Sequence, residues 1–112
     1  MKKVSIVIVN WNGREDTLEC LASVEKLELT GVQLDVIVVD NGSRDNSVPA
    51  IRDKFPQTIL IENETNLGFA GGNNAGILFA LKKNADAVWL VNNDTIVHNQ
   101  ALAALTRAKG DI

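Results

Sequence analysis

An α/β fold, in which a mostly parallel sheet lies between two helical layers, is predicted by two features of this 112-residue chain. Short runs rich in Val and Ile recur at residues 4–9, 34–39 and 87–91, continuously apolar as in strands buried on both faces, and segments of helical periodicity separate them. Each of these runs also stops on polar side chains: Asn10-Trp11-Asn12-Gly13, Asp40-Asn41-Gly42-Ser43 and Asn92-Asn93-Asp94-Thr95. Strands that alternate with helices join by right-handed crossovers, which put their carboxyl ends on one edge of the sheet, where such folds bind ligands.

The first strand is expected over residues 4–9. After the Asn12-Gly13 turn, Leu18, Leu21, Ala22 and Val24 recur at helical steps while Arg14, Glu15, Asp16, Glu19 and Lys26 fill the other face, so a helix is expected over 14–27. A Thr30-Gly31 break precedes the second strand, 34–39. Asn-Gly pairs also turn hairpins, but helical periodicity follows both pairs here. Ser43 or Asp45 is suited to cap a short helix whose apolar stripe is Val48, Ile51 and Phe55, and Pro56 ends it. Residues 58–61 form a third strand. A loop over 62–68 leads to Ala70-Gly71-Gly72-Asn73-Asn74-Ala75-Gly76, which opens a helix carrying Ala75, Leu78, Phe79 and Leu81. The fourth strand spans 87–91 and a last helix 99–109.

The length fits one domain, and a hydrophobic content of 46% suffices for a core. A formal charge of -3 and a pI near 5.0 argue against nucleic-acid binding, which usually shows as a basic face. Cys20 is the single cysteine; it makes no internal disulfide and falls beside Leu18, Leu21 and Val24 as a core residue. The six-residue apolar run at the amino terminus is too short for a signal peptide or a membrane span, so a cytoplasmic protein is expected, at most peripheral to the inner face of a membrane. Three matches to the glycosylation pattern, at Asn41, Asn63 and Asn93, are then chance.

Asp40, Asn41, Asn92 and Asp94 sit at strand ends that adjacent strands bring together. Asp40 and Asn41 offer carboxylate oxygens and an amide, which suit a pyrimidine edge or a ribose hydroxyl. Asp94 is a lone carboxylate among amides, the kind of ligand that holds magnesium or manganese together with phosphate oxygens and water. Ordinary turns and caps use the same residue types, but three such strand ends together favour a site. The run from Asp40 to Asp45 is not a calcium loop, since its glycine is misplaced and the terminal glutamate is missing. Gly68-Phe69-Ala70-Gly71-Gly72 is neither a Walker loop, lacking Gly-Lys-Ser/Thr, nor a dinucleotide fingerprint, which would follow the first strand. Gly71, Gly72 and Gly76 instead let the helix approach the sheet and a ligand, and Asn73 and Asn74 add amides. His98 reads as a cap or solvated turn and Trp89 as core. Trp11 either borders a base or packs over the first helix.

The ordered set Val7-Ile8-Val9-Asn10-Trp11-Asn12, Val38-Val39-Asp40-Asn41-Gly42-Ser43-Arg44-Asp45, Asn66-Leu67-Gly68-Phe69-Ala70-Gly71-Gly72-Asn73-Asn74 and Leu90-Val91-Asn92-Asn93-Asp94-Thr95 closely resembles the family 2 glycosyltransferases, in their rhamnosyltransferase-like branch. The resemblance implies an A-type glycosyltransferase fold, a Rossmann-like α/β/α architecture, whose amino-terminal half binds a UDP- or dTDP-sugar. It places Val9, Asn10 and Asn12 beside base and ribose, Asp40 and Asn41 on the base or ribose, and Gly71, Gly72 and Asn73 around the nucleotide. Asn92-Asn93-Asp94 matches the family's Asp-x-Asp element, with Asp94 on a Mn2+ or Mg2+ ion and Asn92, where the first aspartate usually stands, near the ribose. Asn93 completes the nucleotide-sugar set.

The resemblance further implies an inverting, metal-assisted transfer to a saccharide or other hydroxyl acceptor. Residues 1–112 then correspond to the donor-binding part, and the catalytic base, needed to deprotonate the acceptor, is expected in an acceptor-binding half outside them. Little transfer is expected of this portion alone. Apolar surface or a strand edge left open would favour self-association. A non-catalytic nucleotide-binding or assembly module is the alternative. A phosphoacceptor regulator ranks lower, because no lysine follows a later strand to complete its aspartate cluster.

Overall fold

The computed structural model describes residues 2–29 and 31–104, and its elements run β1 (Lys2–Asn10), α1 (Arg14–Glu25), β2 (Val32–Asp40), α2 (Ser47–Lys54), β3 (Ile59–Glu62), α3 (Gly68–Lys82) and β4 (Ala87–Leu90). The strands form one sheet in the order β3-β2-β1-β4, every pair parallel. β1 and β2 are paired over their whole length, from Lys2 opposite Val32 to Asn10 opposite Asp40.

Side chains alternate across this sheet and build two cores. Val4, Ile6, Ile8 and Val38 pack with Leu18, Cys20, Leu21 and Val24 of α1 and Ile51 of α2. On the other face Val7, Ile37 and Val39 meet Ala80 of α3. The α/β/α layering expected from the alternating runs is therefore present. Strands β1 and β2 begin two residues earlier than expected and end one later, because each borrows its partner's ladder beyond its own apolar run. β3 is shifted by one residue, to Ile59–Glu62. β4 ends at Leu90, although Val91 N–H still donates to Val7 O at 3.0 Å. Residues 101–104 are helical, but 99–100 form a turn instead of the start of the last predicted helix, and 105–109 lie outside the described residues.

Three expectations about the helices need correction. α1 stops at Glu25, with Lys26 and Leu27 in a closing turn that donates to Ser23 O and Val24 O, and Ala22 is exposed. α2 starts at Ser47 after Asn46, whose backbone is left-handed at φ 69°; Ser43 takes no part, and Asp45 Oδ1 instead accepts from Ser47 N–H at 3.1 Å and from the Ser47 hydroxyl. α3 starts at Gly68, and Leu78 and Leu81 point to solvent, 59% and 57% exposed. Its sheet-facing row is made of small residues, Gly72, Gly76 and Ala80, which let the helix backbone settle onto β1 and β2. A Cβ at Gly76 would overlap Val7 Cγ1, and one at Gly72 would lie 2.8 Å from Val9 Cγ1. Gly71 serves a different contact from the one expected: its α-carbon faces Leu67 Cβ, not the sheet.

Candidate functional site at the strand carboxyl ends

β1 and β2 stop in register, so Asn10 and Asp40 are neighbours, and both are buried. Their side chains are joined: Asn10 Nδ2 donates to Asp40 Oδ1 at 2.8 Å and to Ser43 Oγ at 3.2 Å. The Asp40 carboxylate also receives the Ser43 hydroxyl at 2.7 Å and the Ser43 N–H at 2.9 Å. A buried carboxylate needs hydrogen-bond donors for its oxygens, and the turn after β2 supplies them. Ser43 in turn accepts from Asn12 N–H at 2.8 Å, while Asn12 Oδ1 accepts from Arg44 N–H and Asp45 Oδ2 from Arg14 N–H. The loops after β1 and β2 thus hold each other.

Asn41 extends this floor toward α3. It is 1% exposed, donates to Gly68 O at 3.0 Å and accepts from Asn63 Nδ2 at 2.9 Å. Gly42 turns the chain beside it at φ 80°, and a Cβ there would sit 3.0 Å from Glu64 O. Val9 and Gly72 are packed together, and Asn73 is buried in the first turns of α3. α3 carries no acidic residue in its first turn, whereas α1 has Glu15 and Asp16 there. The amino end of α3 therefore keeps its positive dipole for a ligand, and that of α1 is offset by its own carboxylates.

The β4 side is different in kind. Asn92 and Asp94 are exposed on a turn closed by Thr95 N–H to Asn92 O at 3.0 Å. Cys20 lies beneath, its thiol donating to Asn92 O at 3.8 Å. Burial, with the Asp94 carboxylate adding to it, pushes the Cys20 thiol up to about 11, so it is a core group and no nucleophile. Asn93 turns inward, donating to Thr17 Oγ1 at 3.1 Å. His98 Nδ1 accepts from Gln100 N–H, the turn role expected of it. Trp89 packs against the α1 core, and Trp11 is 54% exposed at the end of β1.

The expected residues accordingly fall into three groups. Asn10, Asp40 and Asn41 are brought together, but their side chains are spent largely on one another and on Ser43, Asn63 and Gly68, so they shape the floor. Asn12, Asn92 and Asp94 are exposed, and Gly71 and Asn73 line the start of α3. Ser43, Thr17 and Asn63 are structural partners that the strand-end reading missed. Ser43 had a signal, a serine three residues after a strand-end aspartate; Thr17 and Asn63 had none.

Among the described residues no three His, Cys, Asp or Glu side chains cluster as a metal cage. Asp94 alone, exposed beside a neutral amide, fits an ion whose other ligands are diphosphate oxygens and water, and does not fit a resident structural ion. A cavity of about 690 Å3, lined by Leu27, Leu34, Phe55 and Ile59 among others, lies at the opposite, amino-terminal end of β2 and β3.

A parallel sheet in this order, with polar ends of β1, β2 and β4 on one edge and a lone carboxylate after β4, defines an A-type glycosyltransferase fold. Solved structures share it: TarS of S. aureus, at TM-score 0.75 and 23% identity over 99% of this chain and 33% of that one, and a mannosyltransferase from Pyrobaculum calidifontis in complex with GDP-Man and Mn2+, at TM-score 0.74 and 21% identity over 93% and 31%. TarS is also solved with UDP-GlcNAc, at TM-score 0.77. The chain belongs to glycosyltransferase family 2, which residues 5–110 match. It is 30% identical over 95 residues to an uncharacterised glycosyltransferase of Nostoc sp. and 30% identical over 84 residues to YibD, an uncharacterised glycosyltransferase of Escherichia coli. Those matches cover 78% and 72% of this chain but only 29% and 24% of the relatives.

Proposed function

We propose that these residues form the donor site of a glycosyltransferase that moves a sugar from a nucleotide diphosphate to an acceptor hydroxyl. The observation that carries this reading is the contrast at one sheet edge between a preorganised floor, Asn10, Asp40 and Asn41, and an exposed carboxylate, Asp94, on the neighbouring strand's turn. The floor suits a nucleobase and ribose, presented with Asn12, Gly72 and Asn73 around them. Asp94 and Asn92 suit the diphosphate side. A Mn2+ or Mg2+ ion held there would neutralise charge on the departing diphosphate as a Lewis acid. TarS solved with UDP and with UDP-GlcNAc, and the Pyrobaculum mannosyltransferase solved with GDP-Man and Mn2+, support the donor class.

In this reading the transfer inverts at the anomeric carbon, and the base that takes the acceptor proton comes from an acceptor-binding part such as the longer relatives have room for. The 112 residues alone then bind donor and transfer poorly. No helix of the described residues is long and apolar enough to cross a membrane. A non-catalytic nucleotide-binding or assembly module is the second reading. Restoring an acceptor-binding part yields sugar transfer only in the first.

Calorimetric titration with UDP and dTDP, with and without Mn2+, tests the shared donor site. Binding is expected to tighten with Mn2+, and Asp94→Ala is expected to remove that gain, by about tenfold or more. Saturable binding that ignores both Mn2+ and Asp94 would refute the metal role. No binding by the folded wild type refutes the donor site.

A further inference from the structure

One line of hydrogen bonds, buried except at its Asn93 end, crosses beneath the site. Thr17, 0% exposed in the first turns of α1, donates its hydroxyl to Asn10 Oδ1 at 2.6 Å and accepts from Asn93 Nδ2 at 3.1 Å. Asn10 passes the line on to Asp40 Oδ1 at 2.8 Å. Every donor in the sequence Asn93, Thr17, Asn10 faces the same way and the line ends on a carboxylate, so each bond polarises the next. Only a hydroxyl can serve both neighbours of position 17, giving its proton to one amide oxygen and a lone pair to the other amide nitrogen. Gly13 leaves the room that Asn93 occupies, since a Cβ there would overlap Asn93 Nδ2.

We propose that Thr17 and Asn93 are positioning residues that lock the Asp94 turn to the Asp40 floor, so that the nucleoside and diphosphate ends of one ligand are gripped in fixed register. The inward Asn93 is the anchor, and the outward Asn92 and Asp94 are what it aims. Because β4 meets β1 over only four residues and its turn is otherwise exposed, this side-chain line is what ties the turn to β2, two strands away. The inference rests on the donor-site reading and gives it a consequence: occupancy of the floor and metal-assisted grip on the diphosphate become cooperative.

The test uses the 112-residue chain as Thr17→Val, Thr17→Ser and Asn93→Ala, the last serving if the valine variant fails to fold. UDP affinity is measured with and without Mn2+, and NMR follows the Asn93 side-chain amide and the backbone amides of residues 92–95. Thr17→Val and Asn93→Ala are expected to cut the Mn2+ enhancement, the ratio of affinities with and without the ion, about tenfold, and Thr17→Ser to restore it. The 92–95 signals are expected to move in Thr17→Val and to return in Thr17→Ser. Equal losses with and without Mn2+ would mark a purely structural role and overturn the proposal, as would an unchanged enhancement. Wild type that binds no UDP sinks the donor-site reading itself, a result distinct from a wild type that binds and variants that bind identically.

Discussion

The two sides of the candidate site are built by opposite rules. At the ends of β1 and β2 the polar groups are buried and almost wholly engaged with one another; at the end of β4, Asn92 and Asp94 stand in solvent with few partners. The floor is finished before a ligand arrives, and so costs little to bind. The Asp94 turn is tied down through Asn93 and the main chain of Asn92, and leaves the Asp94 oxygens free for whatever the ligand brings.

The largest expected effect comes from breaking the floor. Asp40→Ala strips the acceptor from Asn10 and from both Ser43 donors, and is expected to lower unfolding free energy by about 3 kcal/mol in urea denaturation. Asp94→Ala is expected to change it by less than about 0.5 kcal/mol. Similar losses for the two would erase the contrast.

A smaller effect is expected from Gly72→Ala. Helix propensity favours alanine by about 1 kcal/mol, while crowding against Val9 at 2.8 Å and Asn41 Nδ2 at 3.0 Å costs about 1–3 kcal/mol. The crowding wins, because Val9 is β-branched and has no second rotamer to retreat into readily. The variant is expected to melt lower and to shift the Asn41 side-chain amide in NMR spectra.

Much of this architecture is legible in the residues, and the exceptions have physical causes. Continuous Val and Ile runs mark buried parallel strands, and polar residues at their ends mark the site edge, because both patterns follow from burial. Leu78 and Leu81 mislead for the same reason: large apolar residues at helical spacing signal a buried face, but α3 meets the sheet through Gly72, Gly76 and Ala80, whose smallness matters through distance. Asn63, Thr17 and Ser43 are harder still. Ser43 reaches Asp40 locally but also Asn10 33 residues away, Asn63 meets Asn41 22 away and Thr17 meets Asn93 76 away, and no local pattern encodes these long pairings.

The smallest effect concerns the latch between loops. Asp45 is held below the usual aspartate value: burial works against it, but the Ser47 hydroxyl and the N–H groups of Arg14 and Ser47 outweigh that. A depressed folded value means that the stabilisation is present above the ordinary value of 3.8 and fades as pH falls through the folded one. Wild type is therefore expected to lose stability below pH 3.8 more steeply than Asp45→Asn in acid titrations followed by circular dichroism.

The length of chain between Thr17 and Asn93 also bears on how the molecule is made. Hydrogen bonds from Asn93 to Thr17, from Val97 to Ser23 and from Cys20 to Asn92 each close a loop of more than 70 residues. β1, α1 and β2 assemble from nearer partners, and long closures form late because their entropy must be met before contacts reward it. Synthesis therefore delivers the residues of the floor before the Asp94 turn that makes the site able to grip.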